Sequence, residues 1–108
     1  MSACLVYVTV DSRDEAESIA SEVLHENLAA GANILGPSIS MFNWEGKTET
    51  REEYVIVFKT MHSLFPYMEQ QISSMHSYKC PCVVAVPITD GNKHYLDWIA
   101  TETRVKPR

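Results

Sequence analysis

His76, Cys80 and Cys82 are the residues of this chain whose types and spacing suit metal chemistry: two thiols flank Pro81, and an imidazole precedes them with Tyr78 and Lys79 in between. In an extended segment, alternation would set both sulfurs on one side. Thiolate with imidazole suits Cu(I), Zn(II) or Cu(II). The set lacks the second ligand pair of a structural zinc site. The same residues therefore also read as a buried strand cysteine (Cys82), a loop cysteine (Cys80) and a histidine favoured by a helix C-terminus.

A second group is aromatic: Phe42, Trp44, Tyr54, Tyr78, Tyr95 and Trp98, in the company of Glu45, Lys47, Glu53 and Lys59. Such rings serve interfaces, because one end packs while the other hydrogen-bonds. The functional alternative is a cleft between subunits, in which Lys59, Thr60, Tyr78 and Tyr95 meet an anion or a metal. Lys59 is the sharper clue, since it follows the apolar run Tyr54–Phe58 and its charge needs a partner. Catalysis finds little support. There is no G-x-S-x-G, Gly-rich phosphate loop or H-E-x-x-H, and Glu52 and Glu53 point to opposite faces of a strand, where solvation is expected. His25, His62, His76 and His94 are scattered and read as surface residues.

The totals narrow the field. A chain of 108 residues that is 45% hydrophobic suits one globular domain, spanning residues 1–108 with a core from about 4 to 104. Nine Lys and Arg against fourteen Asp and Glu give a net charge of −5, which opposes nucleic-acid binding. No apolar run approaches the ~20 residues that span a bilayer, and the N-terminus lacks a basic start and cleavage site, so a cytoplasmic protein without membrane contact is expected. Cys4, Cys80 and Cys82 are expected as reduced thiols.

These residues need elements to position them. The run Cys4–Val10 reads as a strand buried on both faces. Ser12 and Glu15 offer a capping box for a helix whose apolar stripe runs through Ala16, Ile19, Ala20, Val23, Leu24 and Leu28, with Gly31 as its stop. Ala32–Leu35 reads as a short strand, with a break at Gly36-Pro37. Ile39–Thr60 then forms a long hairpin turning at Glu45-Gly46. Ser63 is placed to cap a second helix with Pro66 in its first turn, running to about His76. A strand over Cys82–Ile88, a turn at Asp90-Gly91 and a third helix carrying Tyr95, Trp98 and Ile99 complete the chain, and the tail from Val105 is expected to fray. The order β-α-β-β-α-β predicts an α+β, ferredoxin-like antiparallel sheet with helices on one face, a long extended hairpin and an extra C-terminal helix. The hairpin is long for its domain. Residues 49–60 alone would reach about 40 Å, against a radius of gyration of roughly 13 Å for a compact chain of this size. Ile39, Met41, Phe42 and Trp44 on that arm point to an oligomer whose subunits cover one another.

Over nearly its whole length, from Leu5 to about Arg104, the chain resembles the CutA-type divalent-cation tolerance family. The segments that carry the likeness are Leu28–Ile34, Phe42–Lys47 with Glu53 and Lys59-Thr60, His76–Tyr78 with Pro81, and Tyr95–Trp98. The resemblance implies a homotrimer with hairpin strands paired between subunits, binding of Cu(II) or another divalent cation, and no established enzymatic reaction. Two candidate sites stand beside it: His76, Cys80 and Cys82, read from their residue types as metal ligands, and an inter-subunit cleft of Trp44, Glu53, Lys59, Thr60, Tyr78, Tyr95 and Trp98. The chain departs from the family pattern at Gly31, Phe42, Thr48, Ser77 and Cys82. Cys82 stands where a glutamate is usual, and either makes the site softer or removes it. A PII-like signalling trimer, holding a small anionic metabolite through Lys47 and Lys59, is the competing expectation. An acylphosphatase-like enzyme is disfavoured by Asp11 where phosphate would bind, and an RNA-binding sheet by the lack of basic and glycine positions around Tyr54–Phe58.

Overall fold

The computed structural model describes residues 2–104; the tail from Val105, expected to fray, lies outside the described residues. Strand β1 (Ala3–Val10) is followed by helix α1 (Arg13–His25), the long strands β2 (Gly31–Trp44) and β3 (Lys47–Met61), a 3-10 turn over His62–Leu64, helix α2 (Phe65–Met75), strand β4 (Val83–Pro87) and helix α3 (Lys93–Glu102). The four strands form an antiparallel sheet in the order β2-β3-β1-β4. This is the expected α+β, ferredoxin-like arrangement. Among the described residues no helix is long and apolar enough to cross a membrane.

Alternation along the strands decides the two faces. Cys4, Val6, Val8 and Val10 of β1 and Ile56 and Phe58 of β3 point one way and are sealed by Ala16, Ile19, Ala20 and Val23 of α1 and by Met68 and Ile72 of α2. Each such large side chain contributes about 1.5–3 kcal/mol on burial. The residues between them point the other way. There α3 covers only one end of the sheet, where Ile99 packs on Ala3 and Met61. Tyr7, Leu35, Val84 and Val86 remain exposed on the rest of that face.

Local chemistry explains the boundaries, including those that differ from expectation. Ser12 Oγ accepts from the Glu15 N–H at 3.1 Å and starts α1. The helix stops before Gly31. Glu26 is its C-cap and Asn27 takes the left-handed conformation at φ 59. The N–H groups of Asn27 and Leu28 reach back to the carbonyls of Leu24 and Val23, a Schellman closure that asparagine tolerates. Gly31 instead opens β2, under the ring of Trp98. The short strand expected at Ala32–Leu35 continues through Gly36-Pro37 into the hairpin, with an irregular register between Leu35 and Ser38. Gly36 has φ +152, and a Cβ there would lie 2.6 Å from Tyr54 Cδ2, so no other residue fits without moving that ring. Glu45 and Gly46 both have positive φ (50 and 82), as the two-residue turn that matches strand twist requires. Ser63 lies within the 3-10 turn and does not cap α2 by a side-chain bond. Asn92 caps α3 by accepting from the Tyr95 N–H at 3.2 Å. The hairpin extends the molecule to 43 Å along its longest axis, with a radius of gyration of 14.4 Å.

Candidate functional site: a cleft at the root of the hairpin

Where β1 ends and the hairpin continues alone, a cleft of about 830 Å³ opens, lined among others by Tyr7, Thr9, Trp44, Arg51, Glu53, Tyr78, Cys80 and Cys82. Register explains one wall. Arg51 and Glu53 are two apart on β3, so both project to the same side, opposite Ser40 and Ser38 of β2. The other wall is the loop from His76 to Cys82, which leads from α2 into β4.

Glu53 was expected to be solvated; it is 6% exposed. Its Oε2 accepts from the Tyr78 hydroxyl at 2.8 Å, and the Arg51 guanidinium lies 4.8 Å from the Tyr78 ring centroid. Burial first, and then donation to the Glu53 carboxylate, push the Tyr78 phenol up to about 12, so the hydroxyl keeps its proton and donates near neutrality. Burial also raises the Cys82 thiol, with the charge of Glu53 adding to it.

His76 does not stand free as a ligand. Its side chain is fully buried, with Nε2 at 2.7 Å from the Thr9 carbonyl and Nδ1 accepting from the Tyr78 N–H at 3.1 Å. A carbonyl can only accept, so Nε2 carries the proton and both ring nitrogens are occupied. Metal at either one would break a buried hydrogen bond, at a cost of about 1–3 kcal/mol for the group left unpaired. Beside it, the Ser77 N–H and hydroxyl donate to Glu15 Oε2 and Oε1 at 2.9 and 3.1 Å. His76 and Glu15 thus fasten the loop to β1 and to the start of α1. Cys80 and Cys82 lie in this loop rather than in a regular strand, and both face the cleft. Among the described residues no group of three or more His, Cys, Asp or Glu side chains is gathered to hold a metal ion.

The expected inter-subunit cleft divides into separate places within one chain. Glu53 and Tyr78 meet at the hairpin root, while Trp44 lines the same cleft from beside the turn at Glu45-Gly46. Lys59 sits about 20 Å further along β3, at ~3.4 Å per residue, where it pairs with Gly31 beneath Trp98, whose ring lies 5.3 Å from that of Tyr95. Lys59 Nζ donates to Asn33 Oδ1, and burial lowers its pKa. Thr60 belongs to neither place, because it is fully buried on the helix-covered face and donates to the Leu28 carbonyl at 2.6 Å. Sequence reasoning overlooked Arg51 and the Glu15–Ser77 tether. The spacing of Arg51 and Glu53 carried a signal for the former; the tether joins residues far apart in the chain and left none.

Comparison with known proteins fits this geometry. The sequence profile of the family described as CutA1 divalent ion tolerance protein matches residues 4–102. A divalent-cation tolerance protein CutA of Archaeoglobus fulgidus is 44% identical over 94 residues, which cover 87% of this chain and 91% of that one. A chloroplastic CutA protein of Arabidopsis thaliana is 37% identical over 100 residues, 93% of this chain, which spans only 55% of that longer relative. The solved structure of a divalent cation tolerance protein (Cut A1) from Thermus thermophilus superposes with a TM-score of 0.92 at 34% identity, covering 94% of this chain and 99% of its own. On fold and sequence together, the chain belongs to the CutA1 divalent ion tolerance family.

Proposed function

We propose that this chain works as a homotrimeric, cytoplasmic metal-binding protein serving tolerance of copper-type divalent cations. The observation that carries the proposal is the uncovered arm: Ile39 is 75% and Met41 70% exposed, with Trp44 at 53%. Bulky apolar side chains on a two-stranded ribbon, together with the free edge of β2, ask for cover that the chain does not supply itself. Sister copies supply it, and they bring their own polar groups to the cleft at the hairpin root. The ion is held there by the thiols of Cys80 and Cys82, with further ligands from a neighbouring copy. His76 holds the loop in place. A reducing compartment belongs to the proposal because the thiols must remain free, and no catalytic step does.

Sedimentation velocity with Cu(II) and Zn(II) calorimetry tests it. A trimer mass with saturable binding is the expected outcome, whereas a well-folded monomer at every concentration overturns the proposal.

One observation favours a second reading. Lys59 is matched by a neutral amide, and among the described residues no carboxylate lies within ion-pair distance of it. A small anionic metabolite in a PII-like inter-subunit cleft, with Lys47 from a neighbouring arm, would complete that charge. A nucleotide thermal-shift screen separates the two, since a ligand at about 100 times its dissociation constant adds about 2.7 kcal/mol.

A further inference from the structure

We infer that Cys80 and Cys82 form a dithiolate site for a soft monovalent metal ion, copper in its Cu(I) state, on the loop wall of the cleft. The inference rests on the metal-binding reading above and sharpens it by naming the ion and its two ligands.

The other candidate donors around these sulfurs are already engaged. Both nitrogens of His76 are bonded to Thr9 and Tyr78, and Glu53 accepts from the Tyr78 hydroxyl. What remains is a pair of thiols, neither of them in a disulfide and both lining one cleft, with Cys82 hydrogen-bonded to the Thr9 side chain. Cys80 is exposed, so an ion can enter, and Cys82 is half-buried, so a bound ion is partly shielded from water. Soft thiolates select Cu(I), whereas hard divalent ions want more oxygen ligands. Cu(I) is also satisfied by two sulfur ligands, fewer than the four donors of a closed zinc site.

Chain geometry favours a bridging ion over a disulfide. With only Pro81 between the cysteines, a direct S–S bond of about 2.0 Å closes a very tight ring. An ion with metal–sulfur bonds of roughly 2.3 Å each, as for zinc thiolates, lets the sulfurs stand about twice as far apart. Pro81 restricts the backbone between them. Binding exchanges two thiol protons for one cation: two Cys–SH and Cu⁺ give a bis-thiolate copper(I) anion and two H⁺, with no change of oxidation state. Arg51 borders the same cleft, and its positive charge opposes the negative charge of that complex.

The test is anaerobic competition for Cu(I) supplied as its complex with bathocuproine disulfonate, followed by loss of the chelator's colour. The wild-type chain is expected to withdraw one Cu(I) per subunit with a rise in thiolate-to-copper absorbance, and Cys80→Ser and Cys82→Ser each to weaken binding by roughly 100-fold or more. Sedimentation of the same samples keeps the two readings apart. Intact assembly with no Cu(I) withdrawn, or with binding unchanged in either serine variant, overturns the dithiolate site and leaves the trimeric reading standing. A monomeric wild type that still withdraws Cu(I) through both cysteines overturns the trimeric reading and supports the dithiolate.

Discussion

The two halves of β3 pair with the same partner, β2, in one antiparallel ladder, yet they meet different surroundings. From Tyr54 to Met61 the strand also pairs with β1, and its alternate residues are sealed under α1 and α2. From Lys47 to Glu52 it has no second neighbour and every residue is exposed. The division falls where β1 ends at Val10, opposite Tyr54. Backbone pairing is therefore not what separates them. A ribbon of two strands is marginal in water, while three strands under helices form a core. The inner half is stabilised by its own chain and the outer half is not, so in the proposed trimer the cleft at their junction is where a subunit boundary and a binding site would coincide.

That contrast can be broken most severely from the inner half. Phe58→Ala removes a fully buried ring and is expected to lower stability by about 3–5 kcal/mol, read as a shift in the urea midpoint at fixed protein concentration. A loss under 1 kcal/mol, on the order of a tolerated swap, would mean that the inner half is not the core described. Trp44→Ala acts on the outer half. It should weaken self-association by about 2 kcal/mol, as an interface aromatic does, and leave far-ultraviolet circular dichroism unchanged. Sedimentation identical to wild type would remove the arm from the interface.

The junction answers to a double-mutant cycle. Glu53→Ala leaves the Tyr78 hydroxyl unpartnered, Tyr78→Phe removes the donor, and together they should show a coupling of about 1.5–3 kcal/mol, the range for a hydrogen bond to a charged group. Zero coupling would mean that the two side chains do not hold the loop against β3. The smallest effect is expected from acid. Burial pushes the Glu15 carboxyl upward, but donation from Ser77 and Asp11 leaves it below its ordinary value of 4.5. A group depressed on folding stabilises above its unfolded value and loses that contribution as pH falls through the folded one. Glu15→Gln should therefore flatten the loss of stability between about pH 5 and pH 3, seen in urea midpoints across that range. An unchanged slope would show that Glu15 is not a source of it.

Much of the fold was legible because it follows from local rules. The alternation of Cys4, Val6, Val8 and Val10, the stripe of α1 and the turn at Glu45-Gly46 each depend on residues within a few positions of one another. Misreadings arose where a distant contact decided the outcome. Gly31 looked like a helix stop, but Asn27 closed α1, while Gly31 met Trp98 from the far end of the chain. His76 with Cys80 and Cys82 looked like one ligand set until Thr9 took one face of the imidazole and the Tyr78 N–H the other.

By itself the sequence determined the element order, the sheet's sealed face and an arm too long for its own domain, because hydrophobic period and chain reach are properties of residues in series. Tertiary structure alone decided which polar groups are spent inside the fold and which remain open to a ligand. Thr60 is consumed by Leu28 and His76 by Thr9, while Cys80 and Cys82 stay open to the cleft. The physical reason is that a hydrogen bond between residues far apart in the chain depends on how the elements pack, and no spacing of residues in series encodes it.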